Sequence, residues 1–281
     1  MIESLHSPHI ARVKALIGSR GKKSRKESGL FLAEGLQFLR EAAKIGSNPE
    51  IETLYLTTTA RLKLAADGLD ISHLNTVDVT DAVMNAMGET VTPQGIIGLC
   101  KLPELSLKDI EIGPNKKYIY LHEIQDPGNA GTILRTADAT GFSGVITAPN
   151  SVDLFSPKVV RASAGSLWHL PVVERVEMSD LLSRWPNNSI FALEVGAKKS
   201  LLEIEYADPS LWIFGNEAHG LPQWENQPRV SSITIPMPGN AESLNLAAAA
   251  SIVMFYVTQL PHLGQQTQRH GFRAGSAAMG R

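Results

Sequence analysis

Tyr118-Ile-Tyr-Leu-His122-Glu-Ile-Gln-Asp-Pro-Gly-Asn129-Ala-Gly131-Thr-Ile-Leu-Arg135 decides the fold. An apolar strand passes through a turn forced by Asp126-Pro127-Gly128 into a helix, which the pattern places at residues 132–140 with Gly141 as its left-handed cap. On that reading Arg135 sits about one turn into the helix. The same succession of apolar run, Gly/Pro/Asn turn and helical stretch recurs downstream. Further strand candidates are Val145-Ile-Thr147, Ile190-Phe-Ala-Leu-Glu-Val195, Leu211-Trp-Ile-Phe214 and Ile233-Thr-Ile235. A last helix is expected over 243–260, opened by Ser243 as its N-cap. Such repetition is the signature of a parallel α/β sheet.

Upstream lies a second, smaller α/β unit. Its strands are expected at Leu30-Phe-Leu32, Leu54-Tyr-Leu56, Val77-Asp-Val79 and Ile96-Ile-Gly-Leu-Cys100, with helices over 35–45, 59–66 and 81–87. The proline- and glycine-bearing stretch after Leu102 has weak periodicity and reads as a linker. The expected organisation is therefore a first domain over 1–104, a linker over 105–116 and a second domain over 117–281, in which 261–281 is a frayed tail. The 281 residues are 43% hydrophobic and 19% charged, an ordinary foldable composition. The single cysteine, Cys100, excludes an intramolecular disulfide or a thiolate zinc cluster and points to a reducing cytoplasm. No apolar run reaches the roughly 18 residues that span a bilayer, and the N-terminus does not read as a signal peptide.

Net charge is −2, yet residues 1–40 hold eight basic side chains against three acidic ones, most densely in Gly21-Lys-Lys-Ser-Arg-Lys26. Such a run can contact phosphates, or it can be a solvated loop between two helices.

Ligands of open parallel sheets sit beyond the carboxyl ends of the strands, and three loops there are unusual. In the first, a helix N-terminus and Arg135 offer donors suited to phosphate or a reacting oxygen, although Arg135 suits a surface ion pair equally. In the second, a strongly apolar strand ends in Gly215-Asn216-Glu217-Ala-His219-Gly220. Glycine there permits close approach to the backbone, while the plainer reading is a strand-ending turn whose Glu217 accepts backbone hydrogen bonds. His219 has no partner at metal spacing, so no metal site is expected. In the third, Ile235-Pro-Met-Pro-Gly-Asn-Ala-Glu-Ser243-Leu-Asn245 enters a helix bearing four successive alanines. These suit tight backbone packing, and they are also good helix formers.

These residues resemble the SpoU/TrmH family of RNA ribose 2′-O-methyltransferases, within the trefoil-knotted SPOUT superfamily. Asn129-x-Gly131-x-x-x-Arg135 resembles the family's first motif, Gly215-Asn-Glu217-x-x-Gly220-Leu its second, and Ile235-Pro-Met237 with Ser243-Leu-Asn245 its third. Arg161-Ala-Ser-Ala-Gly165 resembles an intervening segment. Phe31-Leu-Ala-Glu34-Gly35 with Thr92-Pro-Gln-Gly95 resembles the ribosomal-protein-like RNA-binding domain that precedes the catalytic domain in some members. The likeness extends from about Ser7 to about Leu260, and Ala218 departs from it where glycine is commoner. The resemblance implies a knotted C-terminal domain that binds S-adenosylmethionine, needs no metal and works as a homodimer. It also implies catalytic roles for Asn129, Arg135, Glu217, Ser243 and Asn245 and cofactor contacts at Gly215, Asn216, Ile235, Met237 and Leu244; beside it, the basic charges offer Lys22, Lys23, Arg25, Lys26 and Arg161 as RNA contacts. Members with this N-terminal domain mostly resemble modifiers of large-subunit ribosomal RNA, with transfer RNA as the alternative substrate.

Two other classes compete. A non-catalytic RNA-binding protein would use the basic N-terminal segment and the small first domain unaided. A nicotinamide-dependent dehydrogenase would use Gly128-Asn-Ala-Gly131 with Asp153 on a ribose, but the glycine fingerprint is incomplete and Asp153 falls beyond Pro149 and Asn150.

Overall fold

The computed structural model describes every residue except 19, 91, 207, 222–226 and 272–281, with side chains in the last helix described as far as residue 259. The first part of the chain runs α1 (Pro8–Ala15), α2 (Gly21–Ser28), β1 (Leu30–Glu34), α3 (Leu36–Ala42), β2 (Ile51–Leu56), α4 (Thr58–Ala66), β3 (Thr76–Asp78), α5 (Asp81–Met87) and β4 (Ile96–Lys101). Its sheet has the order β1-β4-β2-β3, with β4 antiparallel to both neighbours and β2 parallel to β3.

The second part runs β5 (Lys117–Leu121), α6 (Pro127–Ala139), β6 (Gly144–Thr147), α7 (Pro157–Ala162), β7 (Val172–Val173), α8 (Met178–Arg184), β8 (Ile190–Leu193), β9 (Lys199–Ser200), β10 (Ser210–Phe214), β11 (Val230–Thr234) and α9 (Leu246–Gly271). These seven strands form one parallel sheet in the order β7-β6-β5-β10-β8-β11-β9. Strand alternation sorts its two faces. Ile119 and Leu121 of β5 pack with the apolar stripes of α6 (Ala130, Ile133, Leu134, Ala137) and α9 (Ala247, Ala250, Val253, Met254, Val257). Tyr118 and Tyr120 turn the other way, toward Ile110, Leu181 and Trp185. Ile110 belongs to the stretch expected as a linker, so that stretch is packed against the second sheet rather than free. The strands β5, β10, β8 and β11 are consecutive neighbours, and the loops that follow them share one edge.

Both helices that border this edge begin elsewhere than expected. Asp126 caps α6 by accepting the Asn129 amide at 2.8 Å, and Pro127 takes the first helical position, where its fixed φ and missing N–H are favourable. The helix therefore starts five residues early: Asn129 lies in its first turn and Arg135 more than two turns in. Asn245, not Ser243, caps α9, its Oδ1 accepting the amides of Ala247 and Ala248 at 2.9 and 3.2 Å. The helix continues to Gly271, so part of the stretch expected to fray is helical, and 272–281 lie outside the described residues.

The two sheets share an apolar junction. Phe31 meets Phe155 and Trp168 at ring-centre distances of 5.1 and 6.0 Å, Phe38 meets Trp168 at 5.6 Å, and the Trp168 indole donates to the Pro49 carbonyl at 2.8 Å. The basic run joins this junction as a helix, α2, rather than as a loop. Arg25 is 5% exposed; its Nε and Nη2 donate to Asp153 at 3.0 and 2.7 Å, and Nη1 donates to the Leu16 carbonyl. This corrects the expectation that Arg25 contacts RNA, because a buried guanidinium engaged at all three nitrogens is a tie between the halves. The same pairing removes Asp153 from any role on a ribose. Lys22, Lys23 and Lys26 are exposed on α2, and Arg161 is exposed on α7.

Candidate active site

The shared edge of β5, β10, β8 and β11 opens into a cavity of about 940 Å³. Its wall includes Asn129, Glu217, Ser243 and Asn245, four of the five expected catalytic residues, together with Gly215, Asn216, Ile235, Met237 and Leu244, all five expected cofactor residues. Arg135 is not part of the wall. It stands exposed on α6, and Arg161 and the basic helix α2 are also away from the cavity.

Each loop is shaped by an identifiable local device. Beyond β10 the chain folds back on itself: Asn216 and Gly220 exchange backbone hydrogen bonds at 2.8 and 2.9 Å, and Asn216 Oδ1 accepts the amides of Ala218 and His219. A Cβ at position 215 would lie 2.4 Å from the Gly220 carbonyl carbon, so only glycine fits beneath this turn. Gly131 has a different purpose from the one its motif position invites. A Cβ there would lie 2.3 Å from Ala162 Cβ, so Gly131 lets α6 cross α7 closely rather than admitting a ligand.

The turn presents Glu217 back to the first loop. Its carboxylate accepts the backbone amides of Gln125 and Asp126, each at 3.1 Å, and the Asn129 side-chain amide at 3.2 Å. Burial pushes its pKa up, but the Asp126 amide, its own amide, the Asn129 side chain and the Gln125 amide together outweigh burial and hold it below the usual carboxylate value. Asn129 in turn accepts from Asn245 Nδ2 at 3.1 Å. The polarity of this chain is fixed from one end. The N-terminus of α9 requires an acceptor, which turns the Asn245 oxygen inward and its NH₂ toward Asn129; the Asn129 oxygen must then face Asn245 and its NH₂ must face Glu217. One residue from each of the three loops is thereby locked in a single orientation.

The wall also contains groups that the sequence did not assign to the site, among them Asp126, Leu193, Glu194 and Val195. The Asp-Pro pair at 126–127 is a helix-start signature that would have placed the first of these correctly. Leu193, Glu194 and Val195 follow directly from the rule that ligands sit at carboxyl ends, since β8 lies between β10 and β11. No group of three metal-ligating side chains is found among the described residues.

Residues 116–255 match the model of the SpoU rRNA Methylase family, and residues 10–98 match that of the MRM3-like substrate binding domain. A tRNA/rRNA methyltransferase of Synechocystis sp., itself described as uncharacterized, is 31% identical over 90% of this chain and 93% of its own length. A 23S rRNA (guanosine(2553)-2′-O)-methyltransferase of Bacillus subtilis is 30% identical over 84% of this chain and 91% of its own. An AdoMet-bound rRNA methyltransferase from Sinorhizobium meliloti superposes with a TM-score of 0.79 at 30% identity, covering 92% of this chain and 97% of that one. Motif residues gathered on one cavity and relatives aligned along nearly the whole chain agree: this chain belongs to the SpoU rRNA methylase family.

Proposed function

We propose that the protein transfers a methyl group from S-adenosylmethionine to a ribose 2′-hydroxyl of RNA, with large-subunit ribosomal RNA as the substrate. The observation that carries this reading is the Glu217–Asn129–Asn245 chain on the wall of the cavity, which unites three loops distant in sequence around one site. A 23S rRNA activity in the Bacillus subtilis relative and a family-matched substrate-binding region support the choice of RNA, and with that substrate we read the protein as cytoplasmic.

The cavity fits the cofactor by size and by chemistry. Its volume lies within the range of about 300–1,000 Å³ common to small-molecule sites. Leu193, Val195, Ile235, Leu244 and Leu246 provide apolar surface for a base. Asn216, Glu217, Ser243 and Asn245 add polar groups to the same wall. Bound there, S-adenosylmethionine would supply a methyl group activated by its sulfonium. The protein's part is to hold the accepting hydroxyl in line, where positioning replaces collision. Ser243 and Asn129 orient the ribose, and Glu217 and Asn245 fix the loops. A guanidinium is a poor proton acceptor; that of Arg135 instead stabilises the developing alkoxide or the adjoining phosphate.

Arg135 stands exposed on α6 outside its own cavity, and the neighbouring helix α9 presents a face on which Ile252 and Phe255 are 42% and 63% exposed. We place a second copy of the chain on this face, so that a homodimer brings each Arg135 to a cavity. In the same reading residues 1–104 bind RNA with Lys22, Lys23, Lys26 and Arg161 along its path, 105–116 join the halves, and 117–281 carry the knotted catalytic domain.

The test is methyl transfer from labelled S-adenosylmethionine to unmodified large-subunit rRNA and to tRNA transcripts, read by nucleoside mass spectrometry, with Arg135→Ala alongside. A 2′-O-methylated nucleoside in rRNA, lost in the variant, is the expected result. Label in tRNA alone would overturn the substrate, and an undiminished Arg135→Ala rate would overturn its role.

A further inference from the structure

The loop that follows β6 touches both halves of the molecule. On one side Asp153 holds Arg25, and the Ser151 carbonyl accepts from Lys22 Nζ at 3.3 Å. On the other side the loop is laced to the turn after β5. Val152 N donates to the Ile124 carbonyl at 2.7 Å, Gln125 Nε2 donates to the Asn150 carbonyl at 2.9 Å, and Asn150 Nδ2 donates to Glu123 Oε1 at 3.3 Å. From there the connection enters the cavity wall twice. Asn216 Nδ2 donates to the Glu123 carbonyl at 2.8 Å, and Glu217 receives the Gln125 amide.

Two backbone positions mark this lacing as constrained. Glu123 lies at φ +50° and Asn150 at φ +65°, and Glu123 has neither the glycine nor the short amide that relieves such a conformation. A residue of this kind persists where its surroundings over-determine it. The Glu123 carbonyl is held by two donors, Asn216 and Gln125, the latter at 2.9 Å, while its carboxylate is held by Asn150. Gln125 and Asn150 are themselves exposed, so their side chains contribute little to the core. What they join is a helix of the substrate-binding half and the turns that aim Asn216 and Glu217.

We infer that residues 149–153 couple the seating of α2 to the geometry of the cavity, with Asn150 and Gln125 as positioning residues. The inference rests on the cavity being the cofactor site. A coupling of this kind is reciprocal: if the seating of α2 shapes the cavity, a ligand that orders the cavity must tighten α2. Ordering Asn216 and Glu217 fixes the Glu123 carbonyl and the Gln125 amide. These fix Asn150, and with it the acceptors at Ser151 and Asp153 on which Lys22 and Arg25 close.

The test needs neither RNA nor turnover. Hydrogen exchange of the full chain is followed with and without S-adenosylmethionine, binding being confirmed by calorimetry. Protection of α2 is read relative to α5, which packs on α1 in the same half, so that general stabilisation by ligand cancels. The expected result is α2 exchange slowed about two- to thirtyfold beyond α5, the range of coupling that intervening residues modulate. This excess should vanish in Asn150→Ala and in Gln125→Ala while both still bind the cofactor. Binding with no excess protection of α2, or excess protection that survives in both variants, overturns the coupling. Absence of binding heat in the unaltered protein overturns the cofactor reading itself, and the coupling with it.

Discussion

Two polar clusters organise this molecule, and they are built on opposite terms. Arg25 and Asp153 meet between the two sheets with side chains only 6% and 13% exposed. Glu217, Asn129 and Asn245 meet at the open edge of the second sheet, where water reaches all three. Breaking one partner of a buried pair leaves an uncompensated charge in a poorly solvated site, whereas breaking an exposed amide network returns its members to water. The difference separates stability from chemistry. Arg25→Met should destabilise the protein by about 3–5 kcal/mol, measured by denaturant unfolding with the slope checked against the unaltered chain. A loss under about 1 kcal/mol would mean that the pair is solvated in practice and that the contrast with the edge network is wrong.

Glu217→Gln sharpens the comparison from the other side. The carboxylate accepts from three donors, and glutamine would turn an NH₂ toward at least one of them, since the Asn129 orientation is dictated by Asn245 and the N-terminus of α9. We expect a fall in methyl-transfer rate of roughly 100-fold, the loss that a misplacement of about 1 Å can cause, with unfolding stability changed by less than about 1 kcal/mol. Turnover near normal would show that the lock is dispensable, and a large loss of stability would place Glu217 with Arg25 as a structural residue.

The sequence made the edge cluster more legible than the junction. Strand-ending loops that carry Asn, Glu and Ser instead of apolar residues stand out against the strands around them, and parallel-sheet topology brings such loops together. The composition of α2 was equally visible but pointed outward, because four cationic side chains in six residues ordinarily face water. Arg25 turns inward only because Asp153, which follows it by more than a hundred residues, is waiting there, and no local pattern records such a partner. Helix starts failed for a related reason. For α9, Ser243 and Asn245 are both competent caps, and what sets Asn245 apart is its side-chain contact with Asn129, more than a hundred residues away; for α6 the local Asp126-Pro127 signature was present. Gly131 was legible as a motif position but not as a crossing point, since its neighbour Ala162 lies on another helix. The short strands β7 and β9 and the small helices α7 and α8 carry too few residues for a period to register.

The junction contains a more exposed polar contact, and it tests the comparison at its weakest point. His169 places Nδ1 3.0 Å from Asp138 and Nε2 2.9 Å from Glu41, which itself pairs with Lys44. Only the imidazolium can donate to both carboxylates; a neutral ring would oppose a lone pair to one of them. The hydrogen bond to Asp138 raises the His169 pKa most, burial opposes it, and the Glu41 hydrogen bond adds to the rise. The hydrogen bond from Lys44 chiefly, against burial and aided by His169, lowers that of Glu41. A histidine whose folded pKa exceeds the unfolded value of 6.5 stabilises fully below that value, and the contribution is lost as pH rises through the folded pKa. The Glu41 contribution has the opposite sense, present above its ordinary 4.5 and lost as pH falls below it. The stability difference between the unaltered protein and His169→Gln should therefore be largest near pH 5–6 and shrink toward pH 8–9, as paired thermal melts across that range would show. Because the ring is 40% exposed, solvent screening limits the maximum to under about 1 kcal/mol. A difference that grew with pH would mean that His169 is held neutral, and that this edge of the junction is governed by burial, as Arg25 and Asp153 are, rather than by exposed charge.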